Sequence, residues 1–131
     1  MKITVRALLA GVICLMVTPA ALATKAGGAP PGGVTGIYEN FTVGKGSGDL
    51  EGMRVVLIAA SGGHYAIVQI AQGGAEDPKP DFVPVTVKGM TVNFAVGEEK
   101  FTGTVTPAGL RLKNSAGESQ LLKRKPCSSM F

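Results

Sequence analysis

The chain has 131 residues, with 13 Lys and Arg against 9 Asp and Glu, one His and no Trp; a chain this short holds one small domain around one core. The net charge of +4 is mild, the basic residues are scattered, and aromatic residues make up only 5% of the chain. Neither a phosphate-tracking stripe nor a base-stacking platform can be built from this, which argues against nucleic acid as a partner.

Lys2 and Arg6 precede the apolar run Ala7 to Val17, "ALLAGVICLMV", and the small-residue site "ALA" follows at Ala21 to Ala23. That pattern predicts a signal peptide over residues 1–23 and a secreted or periplasmic protein. The apolar run falls short of the roughly 20 residues of a membrane span, so no transmembrane segment is expected after cleavage. Cys14 does not read as a lipidation site, because Ile13 stands where a small residue belongs. Loss of Lys2 and Arg6 lowers the net charge from +4 to +2. Cys14 leaves with the signal, so Cys127 has no intramolecular partner; it is a free thiol or one half of an intermolecular disulfide. Without staples, stability must come from the core.

"TKAGGAPPGG", Thr24 to Gly33, has nothing that can build a packed face and reads as a flexible linker over 24–33. A β-domain is expected over 34–125, followed by a tail over 126–131. "GIYENFTV" is its opening strand, and Asn40-Phe41-Thr42 within it is a glycosylation sequon. The glycine-rich stretch "GKGSGDLEG" then invites a phosphate-loop reading. Lys45 comes before Gly46 and Ser47, the wrong order for a Walker loop, and Asp49 stands where a dinucleotide loop needs its third glycine. Asp49 and Glu51 would repel phosphate and are too few for calcium. We therefore read Gly44–Gly52 as an inter-strand loop.

"MRVVLIAA" and "YAIVQIAQ" are mainly β-branched runs that could be fully buried strands; strand is preferred to a short helix for the second. Between them, "AASGGHY" is a relaxed nucleophile elbow, with Ser61 at its tip and His64 three residues on. These are weak catalytic candidates, because an elbow needs a following helix and a histidine held by a carboxylate. His64 has no second ligand to form a metal site. A second long loop runs over Gly73–Asp81. Glu76/Asp77 there and Glu98/Glu99 further on read as solvated acids rather than catalytic pairs.

The later half alternates cleanly. Val83, Val85 and Val87 share one face of "FVPVTVK", whose Pro84 implies an edge or a bulge. Met90, Val92, Phe94 and Val96 share a face, as do Phe101, Gly103 and Val105, and Leu110 and Leu112; "SQLLKRK" makes the last strand. Short glycine-containing separators at 88–90, 97–99, 108–109 and 115–118 suit hairpins. Lys123, Arg124 and Lys125 form the densest basic run, too small for a polybasic anchor. The strands read as about six to eight residues, short of the roughly 9–11 of a spanning barrel strand, and no aromatic girdle accompanies them.

The expected fold is all-β: one antiparallel meander of about seven to eight strands closing into a barrel, with a sandwich as the alternative. The expected function is a non-catalytic binding module that contacts a protein of the envelope or extracellular space, with an inhibitor or immunity-type role among the options. Contact would come from Lys45, Ser47, Asp49 and Glu51 on the first loop, Glu76, Asp77, Lys79 and Asp81 on the second, and His64. The alternatives are a barrel carrying a small apolar ligand, a minimal serine hydrolase using Ser61, and an envelope protein joined through Cys127. No metal or cofactor is implied.

Overall fold

The computed structural model describes residues 33–74 and 78–126. The predicted signal peptide, the predicted linker up to residue 32, Glu76, Asp77 and Cys127 lie outside them. The strands are β1 (Gly36–Glu39), β2 (Thr42–Val43), β3 (Leu50–Ala60), β4 (Gly63–Gln72), β5 (Asp81–Lys88), β6 (Thr91–Val96), β7 (Glu99–Thr106), β8 (Gly109–Asn114) and β9 (Ser119–Lys125), and the described residues contain no helix. Each pairs antiparallel with its neighbours, and β1 pairs with both β9 and β3, so eight strands close into a barrel with β2 as an extra strand on β3. The expected meander and barrel are present. β1 and β2 lie in one register on β3, with Glu39 opposite Arg54 and Thr42 opposite Glu51. The predicted opening strand is thus a single run interrupted at Asn40–Phe41.

Two expectations need correction. β3 and β4 are 11 and 10 residues long, longer than the sequence pattern implied, because their hairpin carries on past the barrel at both ends. The first loop is also shorter than expected: β3 starts at Leu50, so Glu51 belongs to a strand.

The barrel interior is filled. Tyr38, Val55, Val68, Val92, Leu110, Leu112 and Leu122 are completely buried, and Met53, Leu57, Phe94, Phe101 and Val105 nearly so. The inward faces of β5 to β8 are those the alternation predicts. Phe94 and Phe101 stack at 5.3 Å between ring centroids. Gly103 lies opposite Val92 and Leu112, and a Cβ there would sit 2.7 Å from Leu112 Cδ2 and 2.8 Å from Leu110 Cδ1. Its missing side chain is what lets two large leucines meet at the barrel centre.

Pro84 sits where it does no harm. The two-residue turn Ser61–Gly62 makes Ala60–Gly63 a hydrogen-bonded pair, and alternation along the ladder then aims the amides of Asp81, Val83 and Val85 at β4. Pro84 faces the other side. β5 pairs with β4 over Asp81–Val85 and with β6 only over Thr86–Lys88. The missing N–H therefore points where β5 has no partner, which is the local edge predicted for it.

The barrel closes at β1. The buried Tyr38 hydroxyl donates to the Val34 carbonyl at 2.8 Å, and burial raises its pKa while nearby Arg124 lowers it. On the outer face Glu39 takes Arg54 Nε at 2.7 Å and Lys125 Nζ at 3.0 Å, which ties β3 and β9 to β1. Arg54 also donates to Gln69 Oε1, and Gln69 Nε2 donates to the Pro78 carbonyl at 2.9 Å.

Gly103→Ala should destabilise the fold by about 1–3 kcal/mol through overpacking, measured by urea unfolding at unchanged m; an unaltered midpoint would contradict a filled interior. The hydrogen bond from Arg54, ahead of the ion pairing with Arg54 and Lys125, lowers the Glu39 pKa against an opposing burial effect. Its stabilisation is complete above its ordinary value of 4.5 and is lost as pH falls through the lower folded value. Glu39→Gln should therefore lower the melting temperature at pH 7 and leave it nearly unchanged in strong acid. Parallel pH curves for the two proteins would remove Glu39 from the closure.

Candidate functional site

Hairpin parity sorts the predicted contact residues between two ends. The β2–β3 loop and the β4–β5 loop are separated by two strands and emerge at one end; the β3–β4 turn with Ser61 and His64 is at the other. The two loops meet at their bases, where Gly73 N donates to Leu50 O at 3.1 Å and Leu50 N to Gly74 O at 3.3 Å. Lys45, Ser47 and Asp49 thus share an end with exposed Lys79, whereas His64 cannot join them. Asp81, exposed, is the first residue of β5.

The Gly44–Asp49 loop is a self-closed hairpin. Gly44 N donates to Asp49 O at 2.8 Å, Gly48 N to Gly44 O at 3.1 Å, and Asp49 N to Ser47 Oγ at 3.2 Å. These bonds commit the amides of Gly44, Gly48 and Asp49 and the Ser47 hydroxyl to the loop itself, and a strand follows. A helix N-terminus that would gather an anion is not formed there.

Ser61 and Gly62 have φ of 50° and 76°, the two positive values of a type I′ turn, and Ser61 is the one non-glycine described at positive φ. The strand β4 follows directly, so the strand-to-helix elbow is not formed. Among the described residues no hydrogen bond joins Ser61 to His64, and no carboxylate holds His64.

At the loop end the interior is capped by polar side chains. Asn114 Nδ2 donates to Glu99 Oε1 at 3.0 Å and Glu118 Oε2 at 2.9 Å, above a small cavity of about 250 Å³ that Met53 and Gln120 also line. Glu99, predicted beside Glu98 as a solvated tip, is instead held by the Asn114 amide, which also donates to Glu118. Asn40 is engaged on both sides of its amide: Oδ1 accepts from Met53 N at 2.7 Å and Nδ2 donates to Gln120 Oε1 at 3.0 Å. A glycan on Nδ2 would displace the second bond.

The outer face is uneven. Around β6 to β9 it carries Asn93, Lys100, Thr102, Thr104, Arg111, Lys113 and Lys123. Across β1, β3, β4 and β5 the ladder registers align Ile37, Val56, Ile67 and Phe82 in one row. Ile58, Tyr65 and Pro84 form the next row. Tyr65 and Phe82 stack at 5.2 Å, and Phe82 is 64% exposed. The run read as fully buried strand is therefore buried on one face only.

An open groove of about 830 Å³ crosses the rim at the lower end of this face, lined by Ile37, Val56, Ile58, Ala59, Arg124 and Lys125 among others. Arg124 is the residue that sequence reasoning missed. It turns inward under Tyr38, 5.5 Å from that ring, and donates to the Thr35 carbonyl. Among the described residues no carboxylate pairs with it. The signal was present in the predicted last strand: alternation from buried Leu122 sends Arg124 inward and Lys123 and Lys125 outward.

Comparison with protein-family models, curated proteins and solved structures finds no match to this chain.

Proposed function

We propose that this protein is a non-catalytic binding module, secreted or periplasmic, that contacts another protein through the outer face of β1, β3, β4 and β5. The observation that carries this reading is the apolar row Ile37–Val56–Ile67–Phe82 on the outside of a barrel whose interior is already packed. A filled interior leaves no room for an enclosed apolar ligand, which weighs against a carrier. Cross-strand apolar rows normally face a core; here one faces outward, which is the chemistry of a protein interface centre with polar surroundings. The Gly44–Asp49 hairpin and the β4–β5 loop flank the upper end of this face, so Lys45, Ser47, Asp49 and Lys79 would act at the rim rather than as the centre of contact.

The test is capture from the native envelope or medium by the immobilised protein, with each bound species quantified. One partner should be retained by the unaltered protein and by Lys45→Ala, and lost about tenfold or more in Ile67→Lys/Phe82→Lys, in keeping with central interface anchors. The double variant should keep its melting temperature, since both side chains are on the outer face. Equal capture by the double variant would overturn the reading. Fluorophosphonate labelling that disappears in Ser61→Ala would replace it with a serine hydrolase.

A further inference from the structure

The groove beside Arg124 combines three features, each with an independent origin in the fold. The first is a free strand edge. β1 pairs with β3 only from Gly36 opposite Leu57 upward, while β3 runs on to Ala60. Alternation from the Ala60–Gly63 pair aims the N–H and C=O of Ala59 at the side where β1 has stopped. Ala59 is exposed and lines the groove, and among the described residues no backbone group outside the ladders bonds to it.

The second is an apolar wall beside this edge, made by Ile37, Val56 and Ile58. The third is an excess of positive charge. Arg54 and Lys125 share the single carboxylate of Glu39, and among the described residues no carboxylate pairs with Arg124. Arg124 is nonetheless fixed in place: one face lies over the Tyr38 ring and one donor is held by Thr35 O, so its guanidinium is oriented before any ligand arrives. A guanidinium presents five donors, and a planar carboxylate is the acceptor that matches them.

We infer that this groove binds the C-terminal end of a partner polypeptide. The segment lies extended along the free edge of β3, bonds to the Ala59 backbone, places an apolar side chain on Ile37, Val56 and Ile58, and gives its terminal carboxylate to Arg124 with Lys125 nearby. This joins two established modes of peptide recognition, strand addition and carboxylate capture. It rests on the reading that the module binds protein, and it names the chemistry of one part of that contact. The groove is wide open, whereas a free lipid chain gains most from an enclosed slot, so a polypeptide end is the occupant that fits.

The test is an NMR titration of the isotopically labelled protein with N-acetyl-Ala-Leu-Phe bearing a free carboxylate, with the same peptide as its C-terminal amide, and with octanoate. The acid should shift the Ala59 amide, the Arg124 Nε–H and the Ile37, Val56 and Ile58 methyl signals. The amide should bind at least about tenfold more weakly, the scale of one lost charge-assisted hydrogen bond. Arg124→Gln should weaken the acid by a similar factor and leave the amide unchanged. The comparison of acid with amide on the unaltered protein stands even if that variant unfolds. Equal binding of acid and amide, shifts elsewhere on the barrel, or octanoate binding as well as the acid peptide would each overturn the assignment. If Ile58→Lys keeps the captured partner that Ile67→Lys/Phe82→Lys loses, the groove assignment falls and the protein-binding reading stands.

Discussion

A four-residue strand has to bond on both sides for this barrel to exist. β1 reaches β9 through Ile37–Glu39 and β3 through Gly36–Glu39, so neither ladder is long enough to hold by backbone bonding alone. Side chains make up the difference. Tyr38 fills the interior beneath the seam and ties its hydroxyl to Val34, while Glu39 clamps a cation from each neighbour on the outside. One strand therefore closes the barrel with an aromatic ring inside and an ion-pair network outside.

The brevity of β1 also creates the groove. Because β1 starts at Gly36 while β3 continues to Ala60, the seam leaves a step at the lower rim. Arg124 stands in that step, oriented by Tyr38 and Thr35. The same residues thus close the fold and shape its most chemically distinctive surface. Exposed ion pairs contribute little on their own, but Glu39 is mostly shielded, with side-chain exposure of 17%, and its position between two strands gives it leverage on closure.

Much of this was legible in the sequence, for physical reasons. A strand with one wet face must alternate, so β6, β7 and β8 declared their inward residues, and Pro84 declared a local edge. Strands β3 and β4 were legible as strands but not in their surroundings. An apolar residue such as Val56 or Ile67 reads the same whether it faces a second sheet or solvent, because periodicity records the chain and not what covers it. The break at Asn40 was hidden, because a side-chain hydrogen bond makes it; the loop after Gly44 was legible and only its end was misplaced, since β3 starts at Leu50. The candidate site was least visible. The Lys123–Lys125 run looked like one patch of charge, and only the strand pleat separates its centre from its flanks. His64 was grouped with the long loops, although counting the predicted strands already puts its turn at the opposite end.

The seam between β1 and β9 has a further consequence, in time rather than space. It joins the two ends of the domain; the hydrogen bond from Arg124 to Thr35 spans 89 residues of chain. Every other ladder except that of β1 with β3 links strands consecutive in sequence, so those hairpins can zip in order while β1 waits for β9. Loop closure of this length is slow relative to hairpin formation. Until it happens the chain is a curled open sheet with two unsatisfied edges and its core exposed along one side. A protein built this way is most exposed to wrong pairing just before its last strand arrives, and the residues that hold the seam govern how briefly that state lasts.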